Sequence, residues 1–168
     1  MLFKWGDYCK KYEDEIESWM DDDTRRFSSD SIKEDHEYYI LSDEYENNIN
    51  YFCKVIFDGE EIIAVIIILR GDEYPVHVNP IIVNPKYRNK GYGTKILFEL
   101  INNIFEITGF KEKVFHAVIF GDNNASIRTF EKVGFVLAGN HIGGDCGYWV
   151  YPASELENCR NYYKDYII

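Results

Sequence analysis

The 168 residues are 46% hydrophobic and 17% aromatic, enough apolar surface to offset the ordering entropy of one globular domain spanning residues 1–168 and to exclude a disordered chain. The formal net charge of −11 lies almost wholly in residues 1–50, which hold 15 acids against 6 bases, so no basic stripe exists to attract nucleic acid. The longest apolar run, residues 62–69, is far below the roughly 20 residues that cross a bilayer, and no membrane partner is expected.

Residues 1–5 lead into acidic sequence without an apolar h-region or a small-residue cleavage site, so the expected compartment is cytoplasmic. Cys9, Cys53, Cys146 and Cys159 stand far apart, with no C-x-x-C pair and no His at ligand spacing. They read as free thiols, and neither a metal site nor a disulfide framework is expected.

In chain order, residues 7–22 place Ile16, Trp19 and Met20 at helical spacing among acids, predicting one helix with an apolar stripe that ends near Asp21, Asp22 and Asp23. Residues 24–48 are polar and irregular, with a short helix around 32–39. Residues 51–57 and 61–70 are strand-like runs separated by Asp58-Gly59, a dipeptide that suits a tight hairpin. The second run is apolar at almost every position, which marks a central strand with helices over both faces.

A further strand is predicted over residues 76–83, and Pro80, which has no N–H to give a ladder, predicts a bulge within it. A basic turn over residues 84–93 leads into a helix over 94–108 with the stripe Leu97, Leu100, Ile101 and Ile104, ended by Gly109. Residues 114–120 read as a strand. Asn123 or Asn124 caps a second amphipathic helix bearing Ile127, Phe130 and Val133, and Gly134 stops it. Strands over 135–138 and 148–151 follow, and the tail from residue 153 has no assigned role.

The turn Asn84-Pro85-Lys86-Tyr87-Arg88-Asn89-Lys90-Gly91-Tyr92-Gly93 carries the chemistry. Gly91 and Gly93 allow backbone N–H groups to converge at a helix N-terminus, where the macrodipole favours an anion, and Lys86, Arg88 and Lys90 add positive charge. Ile96 stands where the dinucleotide fingerprint needs its third Gly, and no G-x-x-x-x-G-K-[ST] is present. By themselves these residues fit either a pyrophosphate cradle or a plain strand-to-helix turn with solvated bases.

The pattern Val83-x-Pro85-x-x-Arg88-x-x-Gly91-x-Gly93 resembles the acetyl-coenzyme A loop of the GNAT acyltransferase superfamily. So does the later Asn123-x-x-Ser126-Ile127-x-x-Phe130-Glu131-Lys132-x-Gly134-Phe135, in the right order and separation, with specific coverage of residues 51–151. The resemblance implies an α/β fold: a mixed, mostly antiparallel sheet of six to seven strands flanked by helices on both faces, with the fourth and fifth strands splayed. It implies acetyl-CoA as co-substrate, held by Ile81, Ile82 and Val83, by Arg88, Asn89, Lys90, Gly91, Tyr92, Gly93 and Thr94, and by Asn123, Ser126 and Phe130. Asn123 has a second reading as a simple helix cap.

Acyl transfer to an amine needs a base, an oxyanion donor and relief of charge on the leaving thiolate. By resemblance the oxyanion donor is a backbone amide just past the bulge, of Ile81 or Ile82, with Ile82 preferred. His77 stands six residues before Val83, where some members carry a Glu base, and an imidazole titrating near neutrality could serve; Asn79 and Glu73 are rivals, and a packed strand residue is the alternative. Phe130 occupies the usual place of a Tyr acid and cannot protonate sulfur. The acidic N-terminal helices would rim the acceptor side, which fits a cationic amine or merely a solvated face. The partners implied are acetyl-CoA and a small-molecule or peptide amine, acting on a monomer or homodimer. The alternative is a non-catalytic acyl-CoA sensor.

Overall fold

Every residue from Ile62 to Ile68 is buried. A strand without a polar face needs cover on both sides, and this one lies inside a seven-stranded sheet of order β1-β2-β3-β4-β5-β7-β6. The computed structural model describes residues 1–41, 49–71 and 75–168. The strands are β1 (Lys4–Asp7), β2 (Ile49–Asp58), β3 (Glu61–Gly71), β4 (Val76–Val83), β5 (Phe115–Phe120), β6 (Val136–Asn140) and β7 (Cys146–Tyr151). The helices are α1 (Glu13–Glu17), α2 (Asp22–Phe27), α3 (Ile32–Leu41), α4 (Tyr92–Asn102), α5 (Ile104–Thr108), α6 (Asn124–Val133) and α7 (Leu156–Tyr162).

The β2–β3 hairpin forms as expected, but Asp58 pairs with Glu61, so Gly59 and Glu60 make the turn and Gly59 takes φ 63°. Strand β1 was not foreseen. Four residues with little alternation carry no local signal, and the strand is held from afar: the buried Glu99 carboxylate on α4 accepts from Leu2 N at 2.6 Å, Phe3 N at 3.1 Å and Trp5 Nε1 at 2.9 Å.

The single helix expected over residues 7–22 is instead α1 followed by the start of α2. Ile16, Trp19 and Met20 are buried as the stripe implied. Asp21 caps α2, accepting from Thr24 N at 2.9 Å. The acidic triplet therefore begins a helix, where the macrodipole stabilises it, and does not end one. The helix expected over 94–108 starts two residues early and breaks at Asn103, whose φ of −128° separates α4 from α5; Gly109 then stops it in the left-handed region.

One face of the sheet carries α4, α5 and α6 over a core that includes Ile66, Ile68, Leu97, Leu100, Phe115 and Phe130. The other carries α1 and α3 over Val55, Val65 and Ile67, with Ile16, Trp19 and Ile32 between. On that same side α7 covers β6 and β7 through Cys159, Ala138 and Val150, which gives the tail a packing role. Among the described residues no helix is long and apolar enough to cross a membrane, the four cysteines are free thiols, and no group of side chains is arranged to hold a metal ion.

Candidate active site

Pro80 does produce the bulge. Pairing passes from Val78 opposite Ile68 to Ile81 opposite Ile66, so β4 spends one residue more than β3. Past this point β4 also loses its other neighbour. Among the described residues it runs parallel to β5 only at Val76–Phe115 and His77–His116, and the two strands then separate.

The gap opens into a cavity of about 530 Å³ between β4, the start of α4, α6 and α2. Of the residues that the resemblance assigned to coenzyme A, Ile81, Ile82, Val83, Arg88, Asn89, Gly91, Tyr92, Gly93, Thr94, Asn123, Ser126 and Phe130 all line it. Lys90 does not: its ammonium is bonded to Lys86 O at 2.8 Å. Sequence reasoning missed Arg128, Thr129 and Lys132, although with Ala125 they fall on one face of α6 at helical spacing. It also missed Asp23, Thr24 and Phe27 of α2 and Ser28 just past its end.

The loop has the build of an anion cradle. Asn84, buried, fixes its start by giving Nδ2–H to Ile62 O at 3.0 Å and accepting from Lys86 N at 3.0 Å. Asn89 and Gly91 take positive φ, 62° and 79°. Gly91 is the N-cap of α4 with no side-chain cap bond, and the first turn carries no acid, so its amides lack a side-chain partner. A Cβ on Gly93 would come into van der Waals contact with Thr129 Cγ2 at 3.6 Å and Val83 Cγ2 at 3.8 Å, both on residues that line the cavity.

Strand parity separates the two candidate amides, Ile81 and Ile82. Asn84 N donates to Ile63 O at 2.9 Å, and in an antiparallel pair the hydrogen-bonded positions alternate. With Val83 opposite Ala64 and Ile82 opposite Val65, the Ile82 amide turns toward β3, while those of Ile81 and Val83 turn into the gap. Ile81 therefore presents the first free N–H past the bulge.

Arg88 lines the cavity, yet most of its donors are spent within the protein. Nε bonds Val83 O at 3.1 Å, and Nη2 bonds Trp19 O at 3.2 Å and Thr24 Oγ1 at 2.9 Å. Nη1 pairs with the Asp21 carboxylate, which bonds from Thr24 and then the Arg88 guanidinium hold at about 2. The far end of α2 is tied to the other half of the sheet by the Arg26–Asp122 ion pair and by Phe27 against Phe120, ring centroids 6.1 Å apart. Helix α2 thus spans the mouth of the cleft.

Asn123 is the N-cap of α6, its Oδ1 accepting from Ser126 N at 3.1 Å, and it faces the cavity as well. Phe130 is buried against Phe135 with centroids 4.8 Å apart. Tyr87 and Tyr92 also line the cavity, but their hydroxyls donate outward to Glu61 at 3.4 Å and Asp58 at 2.8 Å.

His77 lies on the opposite face from Val76 and Val78, toward α1, α3 and α7, beside His116 of β5. Burial pushes its pKa down to about 4, so it is a neutral imidazole at pH 7 and does not titrate near neutrality as expected. His77 is half-buried and His116 buried; the latter is lowered to about 4, first by burial and then by electrostatic repulsion from His77, and its Nδ1 is 3.1 Å from Tyr163 Oη. Glu73 and the side chain of Asn79 lie outside the described residues.

Comparison with known proteins agrees with this arrangement. The model of the acetyltransferase (GNAT) family matches residues 13–135. An uncharacterized N-acetyltransferase, YfmK of Bacillus subtilis strain 168, is 31% identical over 124 residues, 73% of this chain and 77% of the relative. The spermidine N-acetyltransferase of Vibrio cholerae, in complex with CoA and spermine, superposes with a TM-score of 0.70 at 14% identity, over 94% of this chain and 99% of that one. Aminoglycoside acetyltransferase AAC(6')-Ib, in complex with coenzyme A and kanamycin, gives 0.67 at 16% identity over the same shares. Such low identities speak for the fold alone, whereas the family match covers most of the chain. The chain belongs to the GNAT acetyltransferase family.

Proposed function

We propose that this chain, acting as one domain over residues 1–168, transfers the acetyl group of acetyl-CoA directly to a primary amine. The observation that carries the reading is the cavity at the splay of β4 and β5, where uncapped amides of α4 and gap-facing amides of β4 converge. The α4 amides would hold the pyrophosphate, with Arg128 and Lys132 adding positive charge. The Val83 amide would hold the pantetheine arm as a missing strand neighbour, and the Ile81 amide would receive the oxyanion.

His77 does not line that cavity, so the proton that the amine nitrogen loses as it forms its bond to carbon would reach the neutral imidazole on the other face only through water; with a pKa of about 4 it serves only while that nitrogen is strongly acidic. Phe130 supplies no proton to the sulfur, which leaves as a thiolate of tolerable basicity, with a thiol pKa near roughly 8.5. A cationic acceptor is consistent with the acids of α1 and α3 on that face, and with the acceptors of the spermidine and aminoglycoside acetyltransferases. Four free thiols fit the reducing cytoplasm, and a monomer or homodimer is the assembly expected.

The test has two arms. Thiol release from acetyl-CoA should be detected with at least one member of a panel of primary amines. Gly93→Asp should weaken coenzyme A binding by roughly a hundredfold or more in calorimetry, because a side chain and a negative charge would enter the cradle. Unchanged affinity in the folded variant would refute the site. Phe130 favours a second reading, an acyl-CoA sensor, which would show tight binding and no thiol release with any amine.

A further inference from the structure

A second cavity, of about 380 Å³, lies between the start of β5 and α7, and among the described residues it shares no wall with the donor cleft. Its size is within the range of small-molecule sites. Pro75, Val114, Cys159 and Tyr162 line it, together with His116, whose ring points from β5 toward Tyr162 and Tyr163 with centroids 6.2 and 5.3 Å away.

His116 is the feature that asks for a ligand. It is only 4% exposed, and its Nδ1 is committed to Tyr163 Oη at 3.1 Å, while among the described residues its Nε2 meets no hydrogen-bond partner. A ring nitrogen left in that state costs free energy until something pairs with it. Water answers this poorly, because an ordered water needs about two to four polar partners and the Pro75, Val114 and Cys159 walls hold few for it.

The charges around the cavity decide what kind of molecule fits. Glu112 is held in the ion pair with Arg70, Glu155 accepts from Asn158 Nδ2 at 2.7 Å, and the exposed Lys113 balances that second carboxylate at the rim. Burial keeps His116 neutral. An ammonium or a carboxylate brought in among these walls would lose its hydration with no opposite charge to meet it. A hydroxyl can donate to Nε2 or accept from it, so it suits either tautomer of the imidazole. The rings of His116 and Tyr162 favour an aromatic body beside them.

We propose that this cavity is a ligand site separate from the donor cleft, and that it takes a small uncharged phenol, its hydroxyl on His116 Nε2 and its ring against Val114, Cys159 and Tyr162. The site goes beyond the transfer reaction proposed above and stands whether or not that reaction occurs.

The test titrates the full chain with 4-methylphenol, toluene, benzoate and benzylamine while the histidine ring signals are followed by NMR; His116→Gln identifies which of the four histidines gives the His116 signal. 4-Methylphenol should shift that signal saturably and bind at least about threefold more tightly than toluene, the effect of one net neutral hydrogen bond, and both charged probes should bind more weakly than toluene. Saturating coenzyme A should leave the affinity for 4-methylphenol within about twofold. Val114→Phe, which narrows the cavity, should weaken 4-methylphenol by roughly tenfold or more while coenzyme A affinity is kept. If that variant does not fold, Tyr162→Ala, which removes a ring from the wall, should weaken it in the same direction. The absence of a saturable shift at His116, a charged probe or toluene bound as tightly as 4-methylphenol, or displacement of 4-methylphenol by coenzyme A would each overturn the proposal.

Discussion

Phe130 sets a phenyl ring on the wall of the donor cleft, packed edge to face on Phe135, at the motif position where the superfamily usually has a tyrosine. The two tyrosines lining that cleft, Tyr92 and Tyr87, turn their hydroxyls outward to Asp58 and Glu61. Coenzyme A leaves tolerably well as a thiolate, and we expect Phe130→Tyr to change kcat by less than about tenfold. A group whose general acid catalysis limited the rate would give on the order of a hundredfold. A rise of tenfold or more in stopped-flow thiol release would show that protonation of sulfur is the slow step. At this scale the loop was legible because Arg88, Gly91 and Gly93 lie within one turn of chain. Two things were not. The choice of Ile81 over Ile82 depends on hydrogen-bond parity set by Asn84 and Ile63, and the low pKa of His77 depends on burial by elements distant in sequence.

Elements were readable where their cause is local. The all-apolar β3, the bulge at Pro80, and α6 with Asn123 at one end and Gly134 at the other each follow from adjacent residues. Strand β1 and helix α2 follow from partners far along the chain, Glu99 and Arg88, which no window of sequence contains. Helix α2 has no buried residue of its own, so its place over the cleft rests on polar anchors and on Phe27 against Phe120. Exposed ion pairs such as Arg26–Asp122 stabilise little, whereas Arg88 brings several bonds to one site. We expect Arg88→Ala to raise amide hydrogen exchange across α2 by roughly tenfold, the loss of about one net hydrogen-bond equivalent, while α4 keeps its protection. Unchanged exchange in α2 would mean that the packing of Trp19 and Met20 holds it without the guanidinium.

At the scale of the molecule, the sheet is two antiparallel halves joined at a seam of only two registered pairs, and one of those pairs is His77 with His116. Both histidines are held near 4 by burial, and His36, beside Tyr8 and Tyr51, is also lowered by burial against the opposing pull of Glu13 and Glu37. A histidine whose folded pKa is depressed takes up its proton more readily when unfolded. For His77 and His116 that contribution is complete above about 6.5 and is lost as pH falls toward 4. In that window each such group makes stability rise by up to about 1.4 kcal/mol per pH unit. Protonation would also set two imidazolium ions side by side at the seam. Asp21, held at about 2, weakens the fold only below its ordinary value of 3.8, so its effect falls in a separate range. Urea unfolding at pH 7, 5.5 and 4.5 should therefore give midpoints that drop already between pH 7 and 5.5, above the range in which most carboxylates titrate, and His116→Gln, which keeps a partner for Tyr163 Oη, should flatten that drop. Midpoints that stay constant down to pH 4.5 would show that these imidazoles remain hydrated enough to be protonated in the folded chain, and that the seam is held by its apolar neighbours Val76 and Phe115 alone.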